Sequence, residues 1–438
     1  MKLILHILSF ILIVSLLFSS DLILQKVDTI IISGNKKTKD YIIRREILHP
    51  MYNSIDSLVM IQDINRLYNL GIFSTVDINA TDNAYHVNLV ESFSIIPDLV
   101  IDYSEILKKW SYGLGLAHIN FLGLNQNLYV GGAFIGDKWF ALSLYNPWVY
   151  GDHVSLKTIL FNRFSDNPFY DFSFNETYFL VESGFYNGLN NKFQFGLSFY
   201  KNKKHKKEYH CSDIDYGEQF DCENNGAEWA TLLPLNEKDL YRYINIEFNY
   251  QYDTRDVYKD PLKGSLFEMS TGYSKSLSSN TSDVSHFNIS FQKFFLLESK
   301  YLHEPVFSYQ IYTLLKFPDF NQLPIHEYEY LGGEDYVRGY DSFSLDQYNI
   351  ENSNIFYNHF ELQSTILKKK DYGKIEFGVD GLLFLNSGIG SKRIDTFSLD
   401  NLLVGYGFGF KFFITGAPPI SLMFGFNPYG ESYTHFSN

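Results

Sequence analysis

The 438-residue sequence predicts a mostly-β fold, a 16-stranded antiparallel transmembrane β-barrel preceded by one small α+β domain. Three observations predict it. Aromatic residues make up 18% of the chain, with 40 Phe and 34 Tyr, against 20% charged residues, and Phe and Tyr favour pleated surfaces. From residue 95 onward, apolar residues recur at every second position. Residues 27–91 carry helical periodicity instead, so a separate unit precedes the strand array.

The N-terminus, MKLILHILSFILIVSLLFSSD, sets Lys2 before an apolar stretch at 3–18 and the small residues Ser19 and Ser20. That layout is a secretory signal at 1–20. The alternative is a retained membrane anchor, for which the apolar run is short and polar sequence follows at once. Nowhere else does an apolar run approach the roughly 20 residues of a membrane helix. A mean hydropathy of −0.15 fits a soluble protein. It fits equally a barrel whose lumen-facing polar residues alternate with lipid-facing apolar ones.

The net charge of −14 excludes nucleic acid as a partner, because no excess of Lys or Arg is present to replace phosphate counterions. The basic run KNKKHKKE (201–208) lies beside the acidic CSDIDYGEQFDCE and reads as a solvated loop. The two cysteines, Cys211 and Cys222, fall in that loop. Exported chains can keep disulfides, so a pair is expected. Metal binding is the weaker reading. Two thiolates fall short of a four-ligand zinc set, although His205 and His210 are near. No metal site and no cofactor is expected.

In the small domain, VDTIIISG (27–34) is a strand ending at Gly34. Thr38 can cap a helix over 40–48, with Ile42, Ile43, Ile47 and Leu48 as one stripe. Ser54 or Asp56 can cap a second helix, in which Leu58, Ile61, Ile64, Leu67 and Tyr68 recur at helical spacing and which Gly71 ends. FSTVDINATD and YHVNLVES close the unit as two strands. This β-α-α-β-β unit, 27–92, resembles a POTRA (polypeptide-transport-associated) domain. The residues that carry the resemblance are Ile30, Ile32, Gly34, Asn35, Thr38, Ile43, Arg45, Glu46 and Ile47, then Leu67, Leu70, Gly71, Phe73 and Val76. Such a domain leaves a strand edge and a helix–strand groove open, where a client strand can pair by β-augmentation.

The alternation from 95 to 438 gives sixteen strands. They lie at 95–103, 111–119, 126–134, 139–147, 153–162, 172–183, 192–201, 241–252, 265–274, 285–297, 304–316, 354–366, 374–386, 402–413, 419–427 and 432–438. In NLLVGYGFGFKFF, Leu402, Val404, Tyr406, Phe408, Phe410 and Phe412 face one way, and Leu403, Gly405, Gly407, Gly409 and Lys411 the other. In IEFGVDGLLFLN, Ile375, Phe377, Val379, Leu383 and Leu385 oppose Glu376, Asp380 and Asn386. Such apolar faces suit lipid. Trp110, Trp139, Trp148 and Tyr150, near strand ends, suit an interfacial girdle. Turns after even-numbered strands are short (FLGLNQ, NPWVYGD, YNGLN, KKKDYG, TGAPP), and the long insertions 202–240 and 317–353 follow odd strands. That parity is the one expected with the small domain in the periplasm, and it puts the long insertions outside. A soluble periplasmic β-sandwich or barrel is the alternative. It leaves the apolar faces prone to aggregation.

The segment YLGGEDYVRGY (330–340) interrupts this array with Gly332, Gly333 and Gly339 around Arg338. Val337, Arg338, Gly339 and Tyr340 resemble the V-R-G-F/Y signature of the BamA/TamA outer-membrane superfamily. The resemblance implies that the loop folds back into the barrel and that its arginine meets polar residues of the inner wall. A guanidinium in a narrow lumen needs carboxylate or carbonyl acceptors. On the polar side of SNIFYNHFELQST lie His359, Glu361 and Gln363, with Glu361 at the family's wall-glutamate position. The family's F-x-D-x-G pattern reads Phe384 to Gly388 here, with Asn386 in place of the aspartate. The clamp is therefore expected to be weaker, or Asp380 on the same face compensates. YDTRDVYKDPLKGSLF resembles the family's D-x-R-D…P-x-x-G turn through Asp253, Arg255, Asp256, Pro261 and Gly264. It reads as a structural signal with no chemistry attached. The last strand is short for the family, so it pairs weakly with the first strand or the sequence is incomplete.

What the resemblance implies is an outer-membrane protein that assists insertion or translocation of other polypeptides. Its partners would be outer-membrane lipids, unfolded clients taken at the POTRA edge, and accessory envelope proteins. The alternative is a passive pore or surface protein of the same fold. An enzyme is not expected: neither G-x-S-x-G nor H-E-x-x-H occurs.

Overall fold

The structure is a computed structural model that describes residues 26–104, 109–150, 153–166, 172–206, 240–279, 281–341, 351–372, 375–414 and 419–437. The signal segment 1–20, Cys211 and Cys222 lie outside the described residues.

The N-terminal domain consists of β1 (Thr29–Ser33), α1 (Asp40–Arg44), α2 (Ser57–Asn69), β2 (Phe73–Thr81) and β3 (Ala84–Glu91). Its sheet has the order β1-β3-β2, with β1 parallel and β2 antiparallel to β3. Val27, Ile43, Leu67, Phe73, Tyr85 and Val87 form its buried core. Three predicted details change. Thr38 does not cap α1: Lys39 stands at the N-cap position and makes no side-chain cap bond. The Thr38 hydroxyl instead donates to Glu91 Oε1 at 2.7 Å. The inward stripe of α2 is also rotated. Leu58 and Ile61 are exposed, and Asp63 and Leu67 are buried. Asp63 is buried because its carboxylate accepts from Leu48 N (2.7 Å), His49 N (3.3 Å) and the Tyr85 hydroxyl (2.9 Å). Those bonds hold the chain after α1 in a turn, so the helix ends at Arg44 and does not run to 48. Asp56 caps α2, accepting from Leu58 N at 2.8 Å.

The remaining strands form one antiparallel sheet of sixteen in sequence order. They are β4 (Ile95–Ser104), β5 (Lys109–Phe121), β6 (Gln126–Ile135), β7 (Lys138–Tyr150), β8 (Val154–Asp166), β9 (Phe172–Asn187), β10 (Asn191–Lys206), β11 (Leu240–Asp253), β12 (Gly264–Ser276), β13 (Val284–Leu296), β14 (Val306–Phe317), β15 (Asn354–Tyr372), β16 (Ile375–Ser391), β17 (Leu403–Ile414), β18 (Ile420–Phe426) and β19 (Ser432–Ser437). The faces separate as the alternation requires. On β17, Tyr406, Phe408 and Phe410 are exposed and Leu403 is buried. On β16, Leu383 and Leu385 are exposed while Leu382, Phe384 and Asn386 are buried. The outward face is the apolar one, as in a barrel solvated by lipid. No helix among the described residues is long and apolar enough to cross a membrane. Among the described residues no backbone ladder joins β4 to β19. β18 has 7 residues and β19 has 6, fewer than the roughly 9–11 that a tilted spanning strand needs.

Candidate functional site: the lumenal loop and the domain junction

The β14–β15 connection carries the 330–340 hairpin, which closes on itself before it meets the wall. Val337 N donates to Leu331 O at 2.9 Å and Gly333 N to Tyr340 O at 3.0 Å. Gly339 has φ +101°, in the left-handed region that favours glycine. Leu331, Val337 and Tyr340 pack on Leu314, Ile355 and Leu403. That apolar patch fixes where the next side chain points.

Arg338 is 4% exposed. Its Nη1 lies 2.6 Å from Glu361 Oε1 on β15 and 3.1 Å from Met423 Sδ on β18. Its Nε donates to Asn386 Oδ1 on β16 at 3.0 Å. The guanidinium carbon sits 4.1 Å from the Phe384 ring centroid, a cation–π contact. The neighbouring backbone is held as well. Gly339 N donates to His435 Nε2 at 3.1 Å, Asn427 Nδ2 donates to Gly339 O at 3.1 Å, and the Tyr340 hydroxyl donates to Val404 O at 3.2 Å. His359 contacts Tyr336 O. The hairpin is thus stitched to the wall between β15 and β19.

Asn386 stands beside Arg338 and accepts from its Nε. Two donors, Arg338 Nη2 and Asn386 Nδ2, are buried without a hydrogen-bond partner among the described residues. An aspartate at 386 would set an acceptor where that amide nitrogen stands. Asp380 does not compensate. Its carboxylate accepts from Gln363 Nε2, which also donates to Asp260 Oδ1 at 2.9 Å. It lies farther along β16 toward the N-terminal-domain end, beyond the arginine's reach.

The sequence reading missed the wall that makes room for the loop. A Cβ built on Gly405 would stand 1.7 Å from Arg338 O, and one on Gly425 would stand 2.5 Å from Gly339 N. The G-Y-G-F-G-F run at 405–410 was the available signal. Side chains on the lumen face were removed where the loop backbone approaches. Asn427, His435 and Met423 were missed because each bonds the loop singly, without a local pattern.

The D-x-R-D…P-x-x-G turn occupies the other end of the barrel. Arg255 Nη2 lies 2.7 Å from Asp253 Oδ2, and Asp256 Oδ1 accepts from Val257 N, Leu262 N and Lys263 N. Pro261 is buried, and Gly264 (φ +108°) starts β12. Beyond ordering itself, this turn docks the N-terminal domain. Asn69, at the end of α2, donates to Asp256 O at 3.1 Å and accepts from Tyr258 N at 2.9 Å. Tyr68 donates to Glu376. Asn120 Nδ2 donates to Thr38 Oγ1 at 2.9 Å, and Lys39 N donates to Gly123 O at 3.0 Å.

The other motif residues of the small domain serve this junction or its frame. Gly34 (φ +89°) lets Leu89 O approach, and Asn35 Nδ2 donates to Thr38 O at 3.1 Å. Phe73 is fully buried, and Gly71 (φ +70°) follows α2. Glu46 pairs with Arg66 at 2.7 Å and with Arg45 at 3.4 Å. Arg45 lies 4.1 Å over the Trp148 ring, so Trp148 faces the domain and leaves the expected girdle, while Trp110 and Tyr150 remain exposed. A cavity of about 440 Å³ opens between the two parts, lined among others by Arg66, Trp148, Lys192 and Lys259. Burial pulls the Lys259 ammonium below its ordinary range and pushes the Tyr258 phenol above its own.

Comparison with known proteins agrees with this geometry. Residues 25–92 match the POTRA family described as a surface antigen variable number repeat. Residues 120–437 match the Omp85 superfamily domain. No curated protein matches the sequence. Among solved structures, BamA from Haemophilus ducreyi lacking POTRA domains 1–3 aligns over 94% of this chain and 83% of its own, at 16% identity and a TM-score of 0.55. CdiB from Escherichia coli aligns over 94% and 76%, at 15% identity and a TM-score of 0.57. CdiB from Acinetobacter baumannii aligns over 94% and 73%, at 13% identity and a TM-score of 0.52. These likenesses concern the fold. The superfamily model spans most of the barrel, and on that match the chain belongs to the Omp85 superfamily.

Proposed function

We propose that this protein resides in the outer membrane, with its POTRA domain in the periplasm, and assists insertion or translocation of unfolded polypeptides by non-covalent means. The observation that carries the reading is the seam. β4 and β19 are the two edges of the sixteen-stranded sheet, and no ladder joins them among the described residues. In a medium without water, unpaired backbone groups cost several kcal/mol each. Those edges therefore suit a client strand whose own N–H and C=O groups need partners. A second edge lies on the POTRA domain. Among the described residues β1 pairs with β3 alone, Ile31 is exposed, and Arg44 Nη2 reaches Ile30 O at 3.3 Å. An extended client displacing Arg44 would add a strand there. The clamp at Arg338 braces the wall from β15 to β19 while the seam opens. Outer-membrane lipids, unfolded clients and accessory envelope proteins are the partners this reading requires, and no catalytic step is part of it.

Reconstitution into liposomes with a labelled unfolded barrel client tests the reading, with Arg338→Ala alongside. Client insertion by the wild-type chain and its loss in the variant, with the barrel still folded, supports both the activity and the bracing role. Passage of small solutes without insertion of the client identifies a passive pore instead.

A further inference from the structure

We propose that His435 is a proton-operated latch: its neutral imidazole ties the loop hairpin to the seam strand β19, and protonation lets that strand go. The latch stands on the geometry of the clamp, and its consequence for clients rests on the seam reading above.

The direction of one hydrogen bond is the first argument. A backbone N–H only donates, and Gly339 N donates to His435 Nε2 at 3.1 Å. Nε2 therefore carries a lone pair, and the ring proton of the neutral imidazole sits on Nδ1. A second proton would turn Nε2 into a donor. Two N–H groups would then face each other, and the bond would be lost. His359, another histidine on the hairpin, behaves in the opposite way. Its Nε2 meets a carbonyl, Tyr336 O, so that nitrogen donates and goes on donating once the ring is charged. The side chains of Asn386 and Asn427 and the carbonyl of Val404, which also bond the hairpin, do not titrate. Acid thus cuts the His435 bond and spares these.

Surroundings and position supply the second argument. His435 is buried. From the hairpin it faces Arg338, next to Gly339, whose guanidinium is already paired with Glu361 Oε1 of β15 at 2.6 Å. From β18 it faces Met423, its ladder partner, and β18 carries no ionisable side chain. β17 adds a second cation, Lys411, one ladder position along, since Ser421 pairs with both Lys411 and Ser437. On β19 itself the neighbour is Tyr433, with ring centroids 6.5 Å apart. A charged imidazole would stand against like charges, so repulsion adds to the lost bond in driving hairpin and strand apart. β19 has 6 residues, and among the described residues no ladder joins it to β4. On so short a strand one tether is a large share of what holds it. The latch therefore acts on the strand whose release opens the seam.

The test uses the full chain in detergent micelles, with His435→Phe, which removes the acceptor, and His435→Gln, which keeps a neutral one that does not titrate. Hydrogen–deuterium exchange of peptides covering the hairpin and β19 is read by mass spectrometry. Variants are compared at the same pH, so the intrinsic chemistry of exchange cancels, and heat-modifiable migration checks that each barrel is folded. At about pH 7.5, above the ordinary imidazole range, His435→Phe should exchange about fivefold faster than the wild-type chain, the ratio expected for one lost hydrogen bond. At about pH 4, below that range, the two should exchange alike. Equal rates at the higher pH, or a ratio that persists in acid, overturns the proposal. So does His435→Gln if acid speeds its exchange toward that of His435→Phe as it does for the wild-type chain, because the titrating group then lies elsewhere. The liposome insertion assay, run in parallel, separates the two readings. Acid release of β19 without any client insertion sinks the insertase reading and leaves the latch. Client insertion with an exchange ratio indifferent to pH sinks the latch alone.

Discussion

Gly405 faces the carbonyl of Arg338 so closely that a Cβ built on it would stand 1.7 Å from that oxygen. The loop and the wall are therefore fitted backbone to backbone, and the arginine's position depends on a missing side chain on β17. Gly405→Ala should displace the hairpin at about 3 kcal/mol, the upper end of overpacking costs. Limited proteolysis at 330–340 should become fast while the sixteen strands remain, as read by circular dichroism.

The two orphaned donors make a gain-of-stability prediction. Asn386→Asp replaces the unpartnered amide nitrogen with a carboxylate oxygen on the side chain that already accepts from Arg338 Nε. Protease protection of the loop should rise. Glu361→Gln removes the charge 2.6 Å from Nη1 and should cost about 3 kcal/mol, the low end for breaking a buried pair. Asn386→Asp in the Glu361→Gln background should recover part of that loss.

Asn69 makes two hydrogen bonds to the turn at 256–258. Asn69→Ala should weaken docking of the POTRA domain by about 2 kcal/mol, taking roughly 1 kcal/mol per bond. A spin-label pair, one on each domain, should report a broadened distance distribution, with the barrel's melting unchanged.

His326, in the β14–β15 connection, sits 5.1 Å from the Tyr200 and Tyr241 ring centroids and 6.2 Å from that of Tyr243. Burial holds its pKa down to about 4 from an ordinary 6.5. Because the folded value is the lower one, its stabilising contribution is complete above pH 6.5 and is lost as pH falls toward 4. Loop protection should decline through that window, and His326→Phe should flatten the decline.

Asp56 accepts from Leu58 N at the start of α2. Asp56→Ala should lower POTRA stability by about 1 kcal/mol, measurable by urea unfolding of that domain within the full chain.

The strand array was legible because the alternation has the period of the pleat, and one face of every strand must be apolar. Boundaries were less legible where polar residues continue a ladder. The strand predicted at 354–366 runs to Tyr372 through KKKDY, since cross-strand backbone bonds do not depend on side-chain polarity. The phase of α2 was misread because Asp63, a polar residue, is the one buried. Its burial comes from bonds to Leu48, His49 and Tyr85, which no periodicity announces. The turn motif at 252–267 reads from sequence as self-ordering. Its role as a dock for Asn69 needed two segments brought together across the junction.

By itself the sequence determined the number of strands, the face each turns outward, the α+β unit ahead of them, and Arg338, Glu361 and Asn386 as a group. The strands and the α+β unit follow from local periodicity, and the grouping of Arg338 with Glu361 and Asn386 follows from the resemblance to the BamA/TamA superfamily. Tertiary structure alone decided that Asp380 stands apart, that Gly405 makes room for the loop, and that Met423 and His435 join the clamp. Arg338 and Gly339 meet partners 48, 85 and 96 positions away. Such contacts are set by the register of sixteen strands curving around one lumen, a cumulative geometry that no single segment encodes.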